Sequence, residues 1–211
     1  MKKWIGLLLV AACAYYFMKD TAEIKNLHNP GTAVVAFGDS LTAGYGAPKG
    51  SAYPAVLAAK LGREVINLGM SGETAAHAPS RLPEVLAQNP HMVLIEFGAN
   101  DFMQNRRMED ALAAVAEIVD AVQQAAVAEI VDAVQQAGAV AVIVDTGAPG
   151  MGHYSRAYKK LAEEKGAVFV PGILEGIFNK RQYKSDMVHP NAAGYEIVAE
   201  RVYERIKPYL K

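Results

Sequence analysis

The sequence is poor in cysteine and in net charge. Cys13 is the single cysteine among 211 residues, so the chain can form no internal disulfide and no multi-cysteine zinc site. The 21 Lys and Arg residues nearly balance the 22 Asp and Glu, and a net charge of -1 argues against nucleic acid as a partner. The five histidines lack close ligand spacing, so we predict no metal and no cofactor. With 52% apolar residues, the chain is predicted to be globular and long enough for one well-filled core.

Long apolar runs are also scarce. The uncharged stretch from Trp4 to Met18 is short for a membrane span. It follows a positive start and contains VAAC at 10–13, which resembles the lipobox in which bacterial lipoproteins are lipidated at the cysteine, here Cys13. An uncleaved anchor, an ordinary signal and a native helix stay open. We predict an export signal, lipoprotein signal or membrane anchor over 1–19 and a polar tether over 20–31, and therefore an exported protein, periplasmic or associated with the outer membrane.

From residue 32 onward, strand-like and helix-like segments alternate. The predicted strands are Ala33–Phe37, Glu64–Leu68, Met92–Phe97, Ala139–Asp145 and Ala167–Val170. The predicted helices are Tyr53–Leu61, Leu82–Gln88, Glu109–Gln136, Tyr154–Lys165 and Ala192–Tyr209. Nearly continuous apolar strands separated by helices favour a parallel sheet covered on both faces. We therefore predict a single α/β domain over 32–211, a three-layer α/β/α sandwich with about five parallel strands.

A tandem duplication interrupts this alternation. Residues 114–125 read AVAEIVDAVQQA, and residues 126–137 repeat them letter for letter. Each copy carries one apolar stripe at helical spacing, but twelve residues turn a straight helix by roughly 120° beyond whole turns. The two stripes therefore cannot both face the same sheet. We expect either a neutral insertion or a homodimer contact through the stripe that the sheet leaves uncovered.

The residues that indicate chemistry lie at two distant places in the chain. Ser40 follows the first predicted strand, at the carboxyl edge where open α/β sheets bind their ligands. Asp186 and His189 lie three residues apart in a late loop. A serine becomes a useful nucleophile when an imidazole takes its proton, and a carboxylate can orient that imidazole. Asp145, at a strand end, is the alternative acid.

Four ordered blocks carry a resemblance to a known family. They are GDSLTAGYG at 38–46, NLGMSGET at 67–74, GAND at 98–101 and DMVHP at 186–190. Together they resemble the GDSL, or SGNH, family of serine hydrolases over essentially all of 32–208. The stretches SGET at 71–74 and RLP at 81–83 are most similar to a periplasmic bacterial branch that acts as thioesterase, arylesterase and lysophospholipase.

The resemblance implies the SGNH-hydrolase fold, which is flavodoxin-like, and a set of site residues. It implies Ser40, His189 and Asp186 as the catalytic triad, with the backbone N–H groups of Ser40 and Gly72 and the amide of Asn100 as the oxyanion hole. Apolar residues predicted in or beside loops at the same sheet edge form a candidate acyl pocket: Met70, Phe102, Met103, Met108, Met151 and Tyr154.

These residues predict a serine esterase that hydrolyses acyl esters or thioesters of lipid, lysophospholipid or aryl type through an acyl-enzyme. The alternatives are a carbohydrate O-acetyl esterase, an acyltransferase of the same family, and a lipid-anchored binding protein that has lost its activity. An α/β-hydrolase is disfavoured, because Thr42 stands where the Gly-x-Ser-x-Gly motif needs its second glycine.

Overall fold

The central element is a five-stranded parallel sheet. The structure is a computed structural model that describes residues 23–109 and 113–210, with the side chains of 105–122 outside the description; Cys13 and the segment 1–19 also lie outside it. The strands are β1 (Ala33–Gly38), β2 (Val65–Gly69), β3 (Pro90–Glu96), β4 (Val140–Val144) and β5 (Val168–Val170). Their order is β2-β1-β3-β4-β5, with every pairing parallel. The predicted sheet is confirmed.

Helices connect these strands. They are α1 (Ser40–Ala43), α2 (Tyr53–Leu61), α3 (Leu82–Leu86), α4 (Ala99–Glu109), α5 (Ala113–Gln136), α6 (Gly152–Lys165) and α7 (Ala192–Ile206). Short 3₁₀ turns occupy Ala78–Arg81, Arg181–Tyr183 and Lys207–Tyr209.

The helices cover both faces of the sheet because successive side chains of a strand point in opposite directions. In β1, Val34 packs in a core with residues of α2 and α7, whereas the next residue, Val35, packs in a second core with residues of α3, α5 and α6. The architecture is therefore the predicted three-layer α/β/α sandwich.

The two copies of the duplicated segment lie in one helix, α5. The stripe of the second copy, formed by Val127, Ile130, Val131 and Val134, is buried against the sheet. The side chains of the first stripe lie outside the described residues. Gln123 and Gln135 occupy the same position in the two copies and have different partners. Gln123 is buried and donates to the Tyr158 hydroxyl at 2.7 Å, whereas Gln135 donates to the Lys165 carbonyl at 2.9 Å.

Several predicted helix boundaries were wrong: the helix predicted over Leu82–Gln88 ends at Leu86, and the one predicted from Glu109 begins at Ala113. The sequence predicts no helix over 102–108, but these residues belong to α4, which starts directly after Gly98 and contains good helix formers such as Met103 and Gln104. The last helix stops at Ile206 rather than at Tyr209, and a 3₁₀ turn follows, because Pro208 has no N–H to continue the α-helical ladder.

The segment 23–31 lies against the amino-terminal edge of the sheet. The Lys25 N–H bonds the Gly166 carbonyl at 3.0 Å, just before β5, and the Asn26 amide bonds the Ala139 carbonyl, just before β4, at the same distance. Asn29 likewise donates to the His91 carbonyl at 3.1 Å. This part of the predicted tether is therefore attached to the edge opposite the carboxyl ends of the strands.

Candidate active site

The register of the central strands brings three of the sequence blocks together. Gly38, the last residue of β1, lies between Gly69 on β2 and Glu96 on β3. Since all three strands run in the same direction, the segments that follow them leave the sheet side by side. Ser40, Gly72 and Asn100 therefore share one edge of the sheet.

Ser40 is the first residue of α1, which begins two residues after Gly38, where the strand ends without room for a side chain. Asp39 caps this short helix, because its Oδ1 accepts the Leu41 N–H at 2.9 Å. A Cβ at Gly38 would overlap the Thr42 hydroxyl and lie 2.9 Å from Glu96 Oε2. Glycine is therefore needed where the strand meets the turn.

His189 contacts both Ser40 and Asp186. Ser40 Oγ and His189 Nε2 are 3.1 Å apart, and His189 Nδ1 is 2.7 Å from Asp186 Oδ2. Burial acts to raise the pKa of Asp186, but hydrogen bonds from the backbone and ring of His189, and from the Val188 N–H, lower it to about 2. Asp186 is therefore an ionised carboxylate at neutral pH. This chain of contacts can move a proton from the serine hydroxyl to the imidazole.

The loop that carries the histidine is held at both ends. Asp186 Oδ1 accepts the N–H groups of Val188 and His189, each at 2.8 Å. Lys184 forms an antiparallel bridge with Pro190. The Tyr45 ring packs on the imidazole of His189 with 4.5 Å between ring centroids. Tyr45 lies within the first block but was not among the residues predicted for the site.

The Asn100 amide is held from two sides. Its Nδ2 donates to the Glu73 carbonyl at 2.8 Å and to Asp39 Oδ2 at 3.2 Å. Glu73 is itself paired with Arg81 at 2.6 Å, in a bridge where both side chains are largely buried. Gly72, one residue earlier, is exposed with a φ of 84°, in the left-handed region that favours glycine.

The other buried aspartates near this edge have backbone partners. Asp145 Oδ2 accepts the Gly172 N–H at 3.2 Å, and Asp186 rather than Asp145 contacts the imidazole. Asp101 Oδ2 accepts the Ala75 N–H at 3.0 Å, and burial raises its pKa. Asp101 thereby joins the segment after β2 to α4.

An apolar cleft of about 270 Å³ opens beside Ser40 and His189. Of the predicted pocket residues, Phe102, Met103 and Met151 line it. Tyr154 is buried behind Phe102, at 5.8 Å between ring centroids, and Met70 is exposed outside the lining. The Met108 side chain lies outside the description. Other residues line the cleft that were not predicted from the sequence: Leu41, Ala99, Thr146, Ala148, Pro149, Leu174, Phe178 and Val188.

Other sites are less suited to an acyl substrate. A larger hollow of about 530 Å³, which includes Asn29 and His91, lies at the amino-terminal edge of the sheet, away from Ser40. Within 23–109 and 113–210, no cluster of three or more His, Cys, Asp or Glu residues is suited to hold a metal ion. In the same ranges no helix is long and apolar enough to cross a membrane.

Comparison with known proteins gives consistent matches. Residues 36–197 match the sequence model of the GDSL-like Lipase/Acylhydrolase family. The chain is 27% identical to thioesterase 1/protease 1/lysophospholipase L1 of Escherichia coli over 179 residues, 83% of each chain. It is also 27% identical to esterase TesA of Pseudomonas aeruginosa over 215 residues, covering 97% of this chain and 99% of that one. A crystal structure of TesA superposes with a TM-score of 0.70 and 28% identity, covering 85% of this chain and all of the other.

Proposed function

Because this chain belongs to the GDSL-like lipase/acylhydrolase family and is a carboxylic ester hydrolase, we propose that it cleaves acyl esters and thioesters through an acyl-enzyme on Ser40. The observation that carries the proposal is the continuous chain of contacts from Ser40 Oγ through His189 to Asp186. The substrates we propose are lipid, lysophospholipid or aryl esters with an apolar acyl group.

His189 is the proton carrier in this reaction. Its Nε2 takes the Ser40 hydroxyl proton while Oγ bonds to the acyl carbon, and it returns that proton to the leaving alkoxide or thiolate as the ester or thioester bond breaks. A water molecule then gives one proton to the same nitrogen and attacks the acyl-enzyme. Nε2 returns that proton to Oγ as the bond between Oγ and the acyl carbon breaks, which releases the acid and restores Ser40 and His189. The ionised Asp186 holds the ring orientation and stabilises the imidazolium formed in each half of the cycle.

The proposed oxyanion donors are the N–H groups of Ser40 and Gly72 and the amide of Asn100. Their common position at the sheet edge supports this assignment, and removal of one such donor typically lowers turnover by about 100- to 1,000-fold. Asn100 uses its Nδ2 towards Glu73 and Asp39 in the structure without substrate. The contact to Asp39 is the longer of the two, so we infer that the N–H of Asn100 that faces Asp39 is the one that also donates to the oxyanion.

The surroundings of the cleft favour an acyl chain longer than acetyl. The large apolar side chains that are exposed among the described residues are Tyr45, Met70, Met103, Met187 and Val188. Met187 and Val188 belong to the loop that carries His189, and Met103 and Val188 line the cleft. Tyr45 packs on His189. An apolar cleft with an apolar rim removes acyl methylenes from water, at a gain of about 0.8 kcal/mol for each one buried.

Covalent labelling tests the enzyme assignment. A fluorophosphonate probe should modify the native protein at neutral pH and leave Ser40→Ala unmodified. Ser80→Ala is the matched control, because Ser80 lies in the turn Ala78–Arg81 outside the cleft, and this variant should label normally. A native protein that binds lipid but resists the probe would instead be a binding protein on an inactive scaffold.

An acyl-length series tests the substrate class. With p-nitrophenyl esters from acetate to decanoate, kcat/KM should rise with chain length until the cleft is filled. Ala148→Phe, which adds bulk to the lining, should shift the optimum to shorter chains. Activity confined to acetate would favour the O-acetyl esterase alternative. An added alcohol acceptor that appears in the product would favour acyl transfer.

We also propose that the protein is exported and lipid-anchored through Cys13, in the periplasm or at the outer membrane. The segment that would lead from the anchor to the domain, residues 23–31, lies at the edge of the sheet opposite Ser40. Cys13→Ala should move the protein from the membrane to the soluble fraction if the cysteine carries the anchor. The predicted homodimer through α5 is tested by sedimentation, where a monomer at micromolar concentration would contradict it.

A further inference from the structure

Glu96 is a buried acid that the proposed reaction does not use. It is the last residue of β3, with no exposed surface. Its Oε2 accepts the Thr42 hydroxyl at 3.0 Å, while its Oε1 is buried without a hydrogen-bond partner. An ionised carboxylate in such a place would be costly, because an unpaired buried acceptor loses its hydration without compensation.

Asp39, the residue directly after the strand β1 that pairs with β3, is nearly as buried as Glu96. It has different partners: its Oδ1 accepts the Leu41 N–H, and its Oδ2 accepts the Asn100 amide. Two N–H donors stabilise a carboxylate in its ionised form. The surroundings therefore favour opposite protonation states. Asp39 accepts two N–H groups, which favours its ionised form, whereas Glu96 Oε1 has no donor, which favours protonated Glu96.

We propose that Glu96 carries a proton at neutral pH, donates it in a hydrogen bond to the Asp39 carboxylate, and thereby positions the Asn100 amide beside Ser40. Protonation turns the unpartnered oxygen of Glu96 into a donor, and it leaves the pair with one negative charge instead of two. Glu96 is a positioning residue in this scheme, because it acts through Asp39 and Asn100. The proposal rests on the esterase function proposed above.

The electrostatics of the pair agree with this assignment. Burial raises the pKa of Glu96 well above its ordinary value and the nearby charge of Asp39 raises it further, whereas the Thr42 hydroxyl and the Asp39 N–H act to lower it. Burial raises the pKa of Asp39 to about 6, whereas the Leu41 N–H, the bond from Glu96 and the nearby His189 act to lower it. The other titratable groups that act on the pair are Asp101, Tyr53 and Tyr195.

The single charge has a consequence for catalysis. Nucleophilic attack places a negative charge near the Asn100 amide, and in a buried site a second carboxylate anion would oppose that charge strongly. When Glu96 is neutral, Asp39 still accepts the Asn100 amide and orients it. The pair then carries one negative charge instead of two. Loss of the proton at high pH should therefore slow acylation of Ser40.

Glu96→Gln and Glu96→Leu separate this role from ordinary packing. Glutamine is neutral, has nearly the same shape, and can donate to Asp39 while it accepts from Thr42, so it should keep kcat within about threefold. Leucine removes both bonds and should lower kcat about 10- to 100-fold with little change in KM, as for a group that acts in the transition state. Asp145→Asn, a change at another buried acid with an unpartnered oxygen, is the control and should keep kcat.

Two readouts test the proton itself. The infrared difference spectrum between wild type and Glu96→Gln at neutral pH should contain the carbonyl band of a protonated carboxylic acid. The rate of fluorophosphonate labelling should fall at alkaline pH in wild type and in Asp145→Asn, and stay level in Glu96→Gln. Absence of the infrared band, or equal kcat for Glu96→Leu and wild type, would overturn the proposal while labelling of Ser40 still supported the esterase. No labelling of wild type at any pH would contradict the esterase itself.

Discussion

The aromatic ring of Tyr45 packs on the imidazole of His189, with the ring centroids 4.5 Å apart and the planes tilted by 49°. The Tyr45 carbonyl in turn accepts the Tyr195 hydroxyl at 2.8 Å, so the tyrosine backbone is fixed by α7. His189 is thus held from one side by a ring and from the other by Asp186.

Tyr45→Ala should lower kcat, because the imidazole loses a packing surface that limits its rotation. A decrease of about 2- to 10-fold corresponds to the roughly 0.5–1.5 kcal/mol expected for one aromatic contact. Tyr45→Phe keeps the ring and should retain wild-type kcat, as measured with a p-nitrophenyl ester. Equal activity of the two variants would mean that Asp186 alone fixes the histidine.

Asp186→Asn should lower kcat by about 10³- to 10⁴-fold, since an amide cannot stabilise the imidazolium and favours the wrong ring tautomer. Asp145→Asn should have little effect on kcat, because its carboxylate bonds Gly172 rather than His189. The reverse result would make Asp145 the functional acid. Steady-state kinetics with purified, folded variants distinguishes these outcomes.

Asp186 also links stability to acid pH. Its pKa is lowered to about 2 in the folded protein, from an ordinary value near 4 in the unfolded chain. The stability it contributes is therefore present above about pH 4 and is lost as the pH falls towards 2. Asp186→Asn should lack this part of the acid dependence in chemical denaturation, with a small effect because the carboxylate is partly exposed.

Glu96 makes the stability of the folded protein depend on pH in the opposite direction to Asp186. Its folded pKa is raised by burial and by Asp39, so its favourable contribution is complete below about pH 4 and is lost as the pH rises through the folded pKa. The melting temperature of Glu96→Gln relative to wild type should therefore increase with pH. A constant difference across the pH range would show that Glu96 titrates in the same way when folded and unfolded.

Arg81→Met should lower the free energy of unfolding by about 3 kcal/mol, because it leaves the buried Glu73 carboxylate unpaired. It also removes a guanidinium that donates to the Leu68 carbonyl and lies 5.3 Å from the centre of the Phe37 ring. Lys159→Met breaks a pair that is exposed on both sides and should change the unfolding free energy by less than about 1 kcal/mol. Urea denaturation measures both values.

Much of the fold was predictable because the strands are apolar throughout and are separated by helical segments. Every predicted strand lies within about two residues of the observed one, and α2 matches its predicted bounds. Helix α4 was missed because its residues are mostly polar and carry no apolar period, so local propensity was its remaining signal.

The site was only partly predictable. Short sequence blocks contain Ser40, Asp186 and His189, and the residue types in those blocks indicate their chemistry. The structure brings the three side chains into contact. The cleft residues Leu174 and Phe178 follow β5, and their contact with the site depends on the order of the strands, which periodicity does not reveal. The Asp39–Glu96 pair was missed because a strand register, not a motif, brings the two acids together.

The identity of the two copies within α5 has a consequence for a shortened chain. Deletion of residues 114–125 and deletion of residues 126–137 produce the same protein, with a single copy of the segment. In that shorter chain Ala111 takes the place of Gln123, three residues before the helix segment that packs on the sheet. A chain with one copy therefore lacks the hydrogen bond from Gln123 to Tyr158, whose hydroxyl also bonds the carbonyl of Phe97. Phe97 lies between β3 and Asn100, so the number of copies bears on the polar contacts beneath the active site.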